Sequence, residues 1–398
     1  MIDMMAGKFK PKLLFISPHL PRFDKTSGDL RMYRLLEILS RGHEIVFLAQ
    51  GETGDGQKEE ARYLDALANL KIATHVKDYS LAKILLAQSF KAAILEFYYI
   101  AGHYIPRIKI LQPKCHVIVD SVDIHYRRAY TKYLVTKNPE DLSVTEKIKR
   151  EELRVYKKAD VIVTVTDEDA EVLNGDCPGL IIRTIPNIHD PALIAQENGN
   201  HNLLFVGGFS HDPNVDAVRY FCELILPSIR VAVPDCKLII VGSNPPDEIR
   251  RLQSDFIRVI GYAPSLEPFF RNSYVSVAPL RFGAGMKGKV GEAMSQGLPV
   301  VTTPIGAQGM GLVHRHNAMI CDSPSEYAAS VVELIRNRCL YEYIRKNAID
   351  HIRNMCGTDA VEKMVNAMME ELEYIKPTPM KLREKVGIAS KFIWKMFP

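Results

Sequence analysis

The sequence has a single tryptophan, Trp394, and seven cysteines with no C-x-x-C pair among them. An odd count at scattered positions (115, 177, 222, 236, 321, 339 and 356) speaks against a secreted disulfide framework and a structural zinc site. These thiols are expected to be buried small hydrophobes in a reducing compartment. No run of 18 uncharged apolar residues occurs, so no membrane-spanning helix is expected. The opening stretch, MIDMMAGKFKPK, lacks the apolar core of a signal peptide, which makes the cytoplasm the expected location. There is no large excess of one charge either. Lys+Arg number 51 and Asp+Glu 47, a net +4, too mild for an obligate nucleic-acid binder. No H-x-H or D-x-D constellation argues for a metal, and the chemistry is expected to be metal-independent, with no cofactor.

A length of 398 residues with 47 % hydrophobic content suggests two or three domains, each able to bury its own core. The dominant rhythm is a short β-branched run, a turn, then an amphipathic stretch. Leu13–Ile16, Glu44–Leu48, Ala92–Leu95, His116–Val119 and Val161–Val165 read as strands, and Arg31–Leu39 as a helix. Continuous apolar strands alternating with helices indicate a parallel sheet covered on both faces. The rhythm restarts at Leu203–Val206 and continues through Lys237–Val241, Ile257–Ile260, Tyr274–Ala278 and Pro299–Val301. The pattern predicts an α/β chain of two doubly wound domains in tandem, 1–190 and 191–375. In such sheets ligands sit at the carboxyl ends of the strands, here in the interdomain cleft.

Beyond Pro324 the pattern turns helical, and Lys376-Pro377-Thr378-Pro379 breaks it before a tail, 376–398. That tail is basic and aromatic, with Lys381, Arg383, Lys385, Lys391 and Lys395 around one acid, Glu384. A helix of this kind either lies on an anionic membrane surface or packs back on the body.

The segment VAPLRFGAGMKGKVGEAM, residues 277–294, carries the most chemistry. A strand ends at Ala278, a loop with Gly283 and Gly285 follows, and a helix is expected to begin near Met286. Glycines admit a ligand close to the backbone, and a helix N-terminus offers free N–H groups to phosphate. Lys287 and Lys289 oppose the helix dipole at that end, a conflict that an anionic ligand such as a diphosphate removes. Glu292 lies one to two turns in, either as a carboxylate for ribose hydroxyls or as a solvated helix residue.

These pieces, with FVGGFSHDPNVDAV, LIIVGSNPP and VIGYAPSLEPFF, resemble the donor-binding half of glycosyltransferase family 4, retaining enzymes of the GT-B fold. The N-terminal SPHLPRFDKTSGDLRMYRLLEILSRGHEIVFL and VDSVDIHYRR are similar to its other half, so the resemblance runs to about residue 375. It implies two Rossmann-like domains, the first on the acceptor side and the second binding the nucleotide-sugar donor. Glu292 matches the second glutamate of the family's E-x7-E motif, which implies that it holds the ribose. The resemblance further implies that Lys289 neutralises the diphosphate, assisted by Lys287 and the backbone around Gly283, Gly285, Met286 and Gly288. Gly28 would admit the donor from the first domain, Gly208 would line the pocket floor, and Gly261-Tyr262 would border the base. His125 would approach the transferred sugar; read alone it is equally a hydrogen-bonded histidine at a helix start. Asp24, Arg31, Glu96 and Asp123 are acceptor-side candidates, and His211 with Asp212 reads as a cap for the helix starting at Pro213.

Two positions depart from the family. The first glutamate falls at Ala284, and no Arg…Lys pair follows Phe205-Val206-Gly207, which leaves Arg281 or the two lysines to carry the diphosphate charge. The expected activity is transfer of a sugar from a UDP- or GDP-sugar to a glycan or lipid-linked acceptor in cell-envelope synthesis, by a protein peripheral on the inner membrane face. A nucleotide-sugar epimerase and a non-catalytic nucleotide-sugar-binding subunit are the alternatives.

Overall fold

The structure is a computed structural model that describes residues 10–51, 57–76, 80–192, 194, 200–283 and 285–379. Ala284 and the tail from Met380 onward lie outside the described residues. The first sheet has seven strands: β1 (Lys12–Ser17), β2 (Glu44–Ala49), β3 (Ala73–Val76), β4 (Ala92–Glu96), β5 (His116–Asp120), β6 (Val161–Thr164) and β7 (Ile182–Thr184). They run parallel in the order β3-β2-β1-β4-β5-β6-β7. The second has six, β8 (Leu203–Val206), β9 (Leu238–Val241), β10 (Ile257–Gly261), β11 (Val275–Ala278), β12 (Val300–Thr302) and β13 (Met319–Ile320). Its parallel order is β10-β9-β8-β11-β12-β13.

Each central strand is apolar on both faces because helices cover both. Leu13 and Phe15 of β1 enter one core while Leu14 and Ile16 enter the other. Leu203 and Phe205 of β8 likewise face one core and Leu204 the opposite one. Strand order reverses beside β1 in the first sheet and beside β8 in the second, and such switch points open a crevice at the carboxyl ends. The loops after β1, β4, β5, β8 and β11 therefore define the cleft.

The boundary near residue 190 separates the strands but not the cores. The helix Thr358–Glu371 returns to the first domain, where Val361, Val365, Met368, Met369 and Leu372 share a core with Leu13, Phe15 and Phe47. Glu371 accepts Arg183 Nε at 2.6 Å, and Lys109 donates to the Thr378 carbonyl at 2.8 Å. Residues 358–379 thus belong physically to the first domain, a correction to the 191–375 division. The two crossings between domains are tied together: His189 N–H donates to the Cys356 carbonyl, and Asp190 accepts both the N–H and the hydroxyl of Thr358. Five of the cysteines are buried, but Cys222 is half-buried and Cys339 exposed.

Candidate functional site

On the second domain, the helix Gly288–Ser295 begins two residues later than expected, and Lys287 is its N-cap without a side-chain capping bond. Gly285 has φ +67°, and a Cβ there would stand 3.2 Å from Asp123 Cβ. At Gly288 a Cβ would fall 2.2 Å from Ser27 Cβ. Only glycine lets the two domains approach this closely. The contact brings two helix N-termini together, those of Ser27–Gly42, which carries Gly28, and Gly288–Ser295.

Lys289 is half-buried, donates to Asn214 Oδ1, and stands 4.7 Å from the Phe205 ring centre. Among the described residues no ion pair joins it to a carboxylate. Burial, reinforced by the neighbouring Lys287 charge, pushes its pKa down to about 7. Lys287 donates to the Gly285 carbonyl at 2.6 Å and is pushed down to about 8, again chiefly by burial. The Gly208 carbonyl accepts Asn214 Nδ2 at 2.6 Å, so the turn after β8 is fixed to the same asparagine that holds Lys289. Arg281 is bound to Asp216 and packs 4.9 Å over Tyr220, so it does not share the charge of the two lysines. Met286 is buried, its sulfur accepting the Asn187 N–H from the linker.

Glu292 faces a cavity of about 440 Å³ with Ala192, Ile194, Leu266, Phe270 and Gln296. Burial alone raises its carboxyl to about 7. Its side chain is half-buried against that cavity. Gly261 and Tyr262 border a neighbouring cavity of about 350 Å³ instead. The Tyr262 hydroxyl donates to Asp24 across the cleft at 3.2 Å, while Tyr63 and Arg62 bind the same carboxylate. Asp24 is thus committed to a domain–domain contact rather than open to an acceptor.

On the first domain, the chain leaves β5 through Val122, whose φ of +59° is a strained conformation for a β-branched residue. Asp123 N–H closes this turn onto the Ser121 carbonyl at 2.6 Å. The helix His125–Thr136 follows. Asp123 accepts Arg128 at 2.6 Å, and its other oxygen lies 3.1 Å from His125 Nδ1 without hydrogen-bond geometry. Phe97, Tyr98 and Tyr99 present their rings edge-on to His125 at 5.7, 5.2 and 6.0 Å. Burial lowers the His125 pKa, which keeps the imidazole neutral at pH 7.

Arg31 is a correction. It is 1 % exposed, donates to Asp120 at 2.6 Å and to the Ile185 and Pro186 carbonyls, and so cannot face an acceptor. Glu96 is buried as well, accepts the Ser17 hydroxyl at 2.6 Å, and is pushed up to about 8, chiefly by desolvation. It stays protonated at neutral pH beneath the cleft floor, where it too cannot reach an acceptor.

Two cleft residues, His211 and Asp212, were read as a helix cap, and two more, Thr131 and Lys132, were not singled out. His211 is the N-cap residue of the helix Asp212–Tyr220 but makes no side-chain capping bond. It stands among Arg128, Lys289 and Lys287, and its pKa is pushed down to about 4 by desolvation and those cations. Asp212 pairs across the cleft with Lys132 at 3.5 Å rather than capping. The Thr131 hydroxyl bonds both the N–H and the carbonyl of Gly283, each at 3.2 Å, so the first domain holds the donor-side loop directly. The only legible signal was the run Arg127–Lys132 on one short helix. Among the described residues no group of three His, Cys, Asp or Glu is placed to hold a metal ion.

Comparison with known proteins bears on this arrangement. The Glycosyl transferases group 1 family matches residues 200–337. An uncharacterized 44.6 kDa protein of the cps region of Klebsiella pneumoniae is 27 % identical over 164 residues, 39 % of this chain. The match spans 42 % of that relative's length. Among solved structures, sucrose-phosphate synthase from Thermosynechococcus elongatus superposes with a TM-score of 0.70 at 13 % identity, covering 92 % of this chain and 99 % of the other. HepE of Anabaena, in complex with UDP and glucose, gives 0.67 at 12 % identity, covering 91 % and 100 %. The pneumococcal O-GlcNAc transferase GtfA, in complex with UDP and GlcNAc, gives 0.54 at 18 % identity over 73 % of this chain and 59 % of that one. Such low identities speak to fold. This chain has the two-domain GT-B fold of the glycosyltransferases, and its second domain carries the Glycosyl transferases group 1 signature.

Proposed function

We propose that the protein is a retaining, family 4 glycosyltransferase that moves a sugar from a UDP- or GDP-sugar to an acceptor hydroxyl without a metal. The observation that carries this reading is Lys289, a desolvated ammonium at the start of a helix with no carboxylate partner among the described residues. A burial of this kind is costly unless an anion completes it. A diphosphate seated between the two helix N-termini would receive the Lys289 and Lys287 charges and free backbone N–H groups. Those groups stabilise the negative charge that grows on the departing nucleoside diphosphate, in a cleft from which domain closure removes water. The acceptor proton passes to the leaving phosphate oxygen on the same face of the sugar, which preserves configuration. Neutral His125 positions the sugar, with Asp123 beside it on the acceptor side.

In this reading Glu292 takes the ribose hydroxyls and Leu266 and Phe270 flank the base. A hydrogen bond to a charged group contributes about 1.5–3 kcal/mol. Glu292→Gln is therefore expected to weaken UDP or GDP binding about 10- to 100-fold in calorimetry, with the melting temperature of the unliganded protein preserved. Equal affinity would remove the ribose role.

The acceptor is proposed to be a glycan or lipid-linked glycan of the cell envelope, met at the inner membrane face. No helix of the described residues is long and apolar enough to cross a membrane. The basic residues after Pro379 supply the attraction to anionic lipid. Phosphatidylglycerol vesicles should sediment the full chain but not a chain ending at Pro379, and equal sedimentation of the two would end the membrane role of the tail.

A further inference from the structure

The helix that carries His125 lacks a cap of its own. Its N-cap is Ile124, which offers no side-chain acceptor, and it follows directly on the strained turn at Val122. A helix start without acceptors leaves backbone N–H groups unpaired, a costly state in a buried place. Glu152, from the helix Pro139–Tyr156, fills that role. Its carboxylate is fully buried and accepts the His125 N–H at 3.3 Å, the Tyr126 N–H at 3.1 Å and the Tyr156 hydroxyl at 2.6 Å. One of its oxygens lies 3.9 Å from His125 Nδ1.

We propose that Glu152 is the positioning residue for His125, a cap supplied by the neighbouring helix that fixes where the imidazole stands in the cleft. This rests on the reading of His125 as a residue of the sugar site. The consequences extend along the helix, because Arg127 binds Asp169, Arg128 binds Asp123, and Thr131 holds Gly283. A shift at the helix start would move all three contacts. Glu152 is faced by Asp123 and His125 from the loop, by Tyr126, by Tyr98 of the helix Tyr98–Leu111, and by Tyr156 of its own helix. Burial raises its carboxyl to about 7, and the three donors act against that rise.

The test uses the full chain with ¹³C-labelled histidine, the His125 signal being assigned from His125→Asn. Glu152→Gln exchanges one acceptor oxygen for an amide that donates, so the helix start loses an acceptor, and the His125 ring ¹³C signal is expected to shift from its parent position. Tyr156→Phe removes one donor that holds the carboxylate in place and is expected to move the His125 signal by less. It keeps the proposal testable if Glu152→Gln folds poorly. Loss of a cap contributes roughly a tenfold acceleration of amide exchange in residues 124–128. Exchange in β1 and β8 should not change. An unmoved His125 signal in both variants, or exchange that accelerates equally everywhere, would overturn the positioning role. A chain that binds no nucleotide at all would count against the proposed function while leaving this result readable.

Discussion

Lys289→Ala is expected to lower turnover by about 10²–10³-fold, the effect of removing one preorganised group that stabilises developing charge. The fold should survive, because the ammonium has only Asn214 and the Phe205 ring as partners and its burial is itself unfavourable. The unliganded variant should be more stable than the parent below pH 7, an advantage that shrinks as pH rises toward about 10.5. The sign follows from protons: a lysine whose folded pKa is near 7 binds fewer protons than the unfolded chain between pH 7 and about 10.5, so its contribution to stability rises with pH across that window. A bound diphosphate reverses the shift. Binding at pH 8, where Glu292 is already mostly ionised, should take up a proton, seen as a dependence of the calorimetric enthalpy on buffer ionisation. Lys289→Met should reduce that uptake. Full turnover in Lys289→Ala would remove the central electrostatic claim.

Arg31→Ala should destabilise the first domain by about 3–5 kcal/mol, the usual consequence of breaking one side of a buried ion pair. The substitution leaves the Asp120 carboxylate without its 2.6 Å partner and the Ile185 and Pro186 carbonyls without a donor. It also cuts a link between the helix Ser27–Gly42 and the linker into the second domain. With two domains, unfolding need not be a single transition, so the midpoint in urea should be followed by a probe in the first domain. Arg31→Met with Asp120→Leu removes both charges together and should recover most of the loss, since an apolar pair of similar volume is often neutral. A midpoint within experimental error of the parent for Arg31→Ala would show that the pair contributes nothing.

The central strands were legible because burial on both faces forces unbroken β-branched runs, as in Leu13–Ile16 and Leu203–Phe205. Three of the four edge strands escaped for the converse reason, whereas the edge strand β10 was read as Ile257–Ile260. β3 and β7 are half-exposed and carry polar residues, and β13 is two residues long. Lys287 and Lys289 stood out because two cations at a helix start contradict the local electrostatics, a conflict visible without neighbours. Arg31, Glu96 and Glu152 could not be read this way. A charged residue in a helix or at a strand end reads as solvent-facing, and only tertiary contacts with Asp120, Ser17 or the His125 backbone reveal that it is buried. His211-Asp212-Pro213 resembled a cap because the local pattern permits one, whereas the structure spends Asp212 on Lys132 in the other domain.

The return of the helix Thr358–Glu371 to the first domain bears on how this protein can be taken apart. A fragment cut at residues 191–375 would carry five apolar side chains whose core it had left behind, and the complementary 1–190 would lack one wall. The separable units are instead a continuous 191–356 and a split one, 10–190 with 358–379. Joining the split pieces by a short linker in place of the second domain would yield the first domain as a free-standing body. The polypeptide thus behaves as one domain inserted into another, entered and left through the hydrogen-bonded segments at His189–Asp190 and Cys356–Thr358.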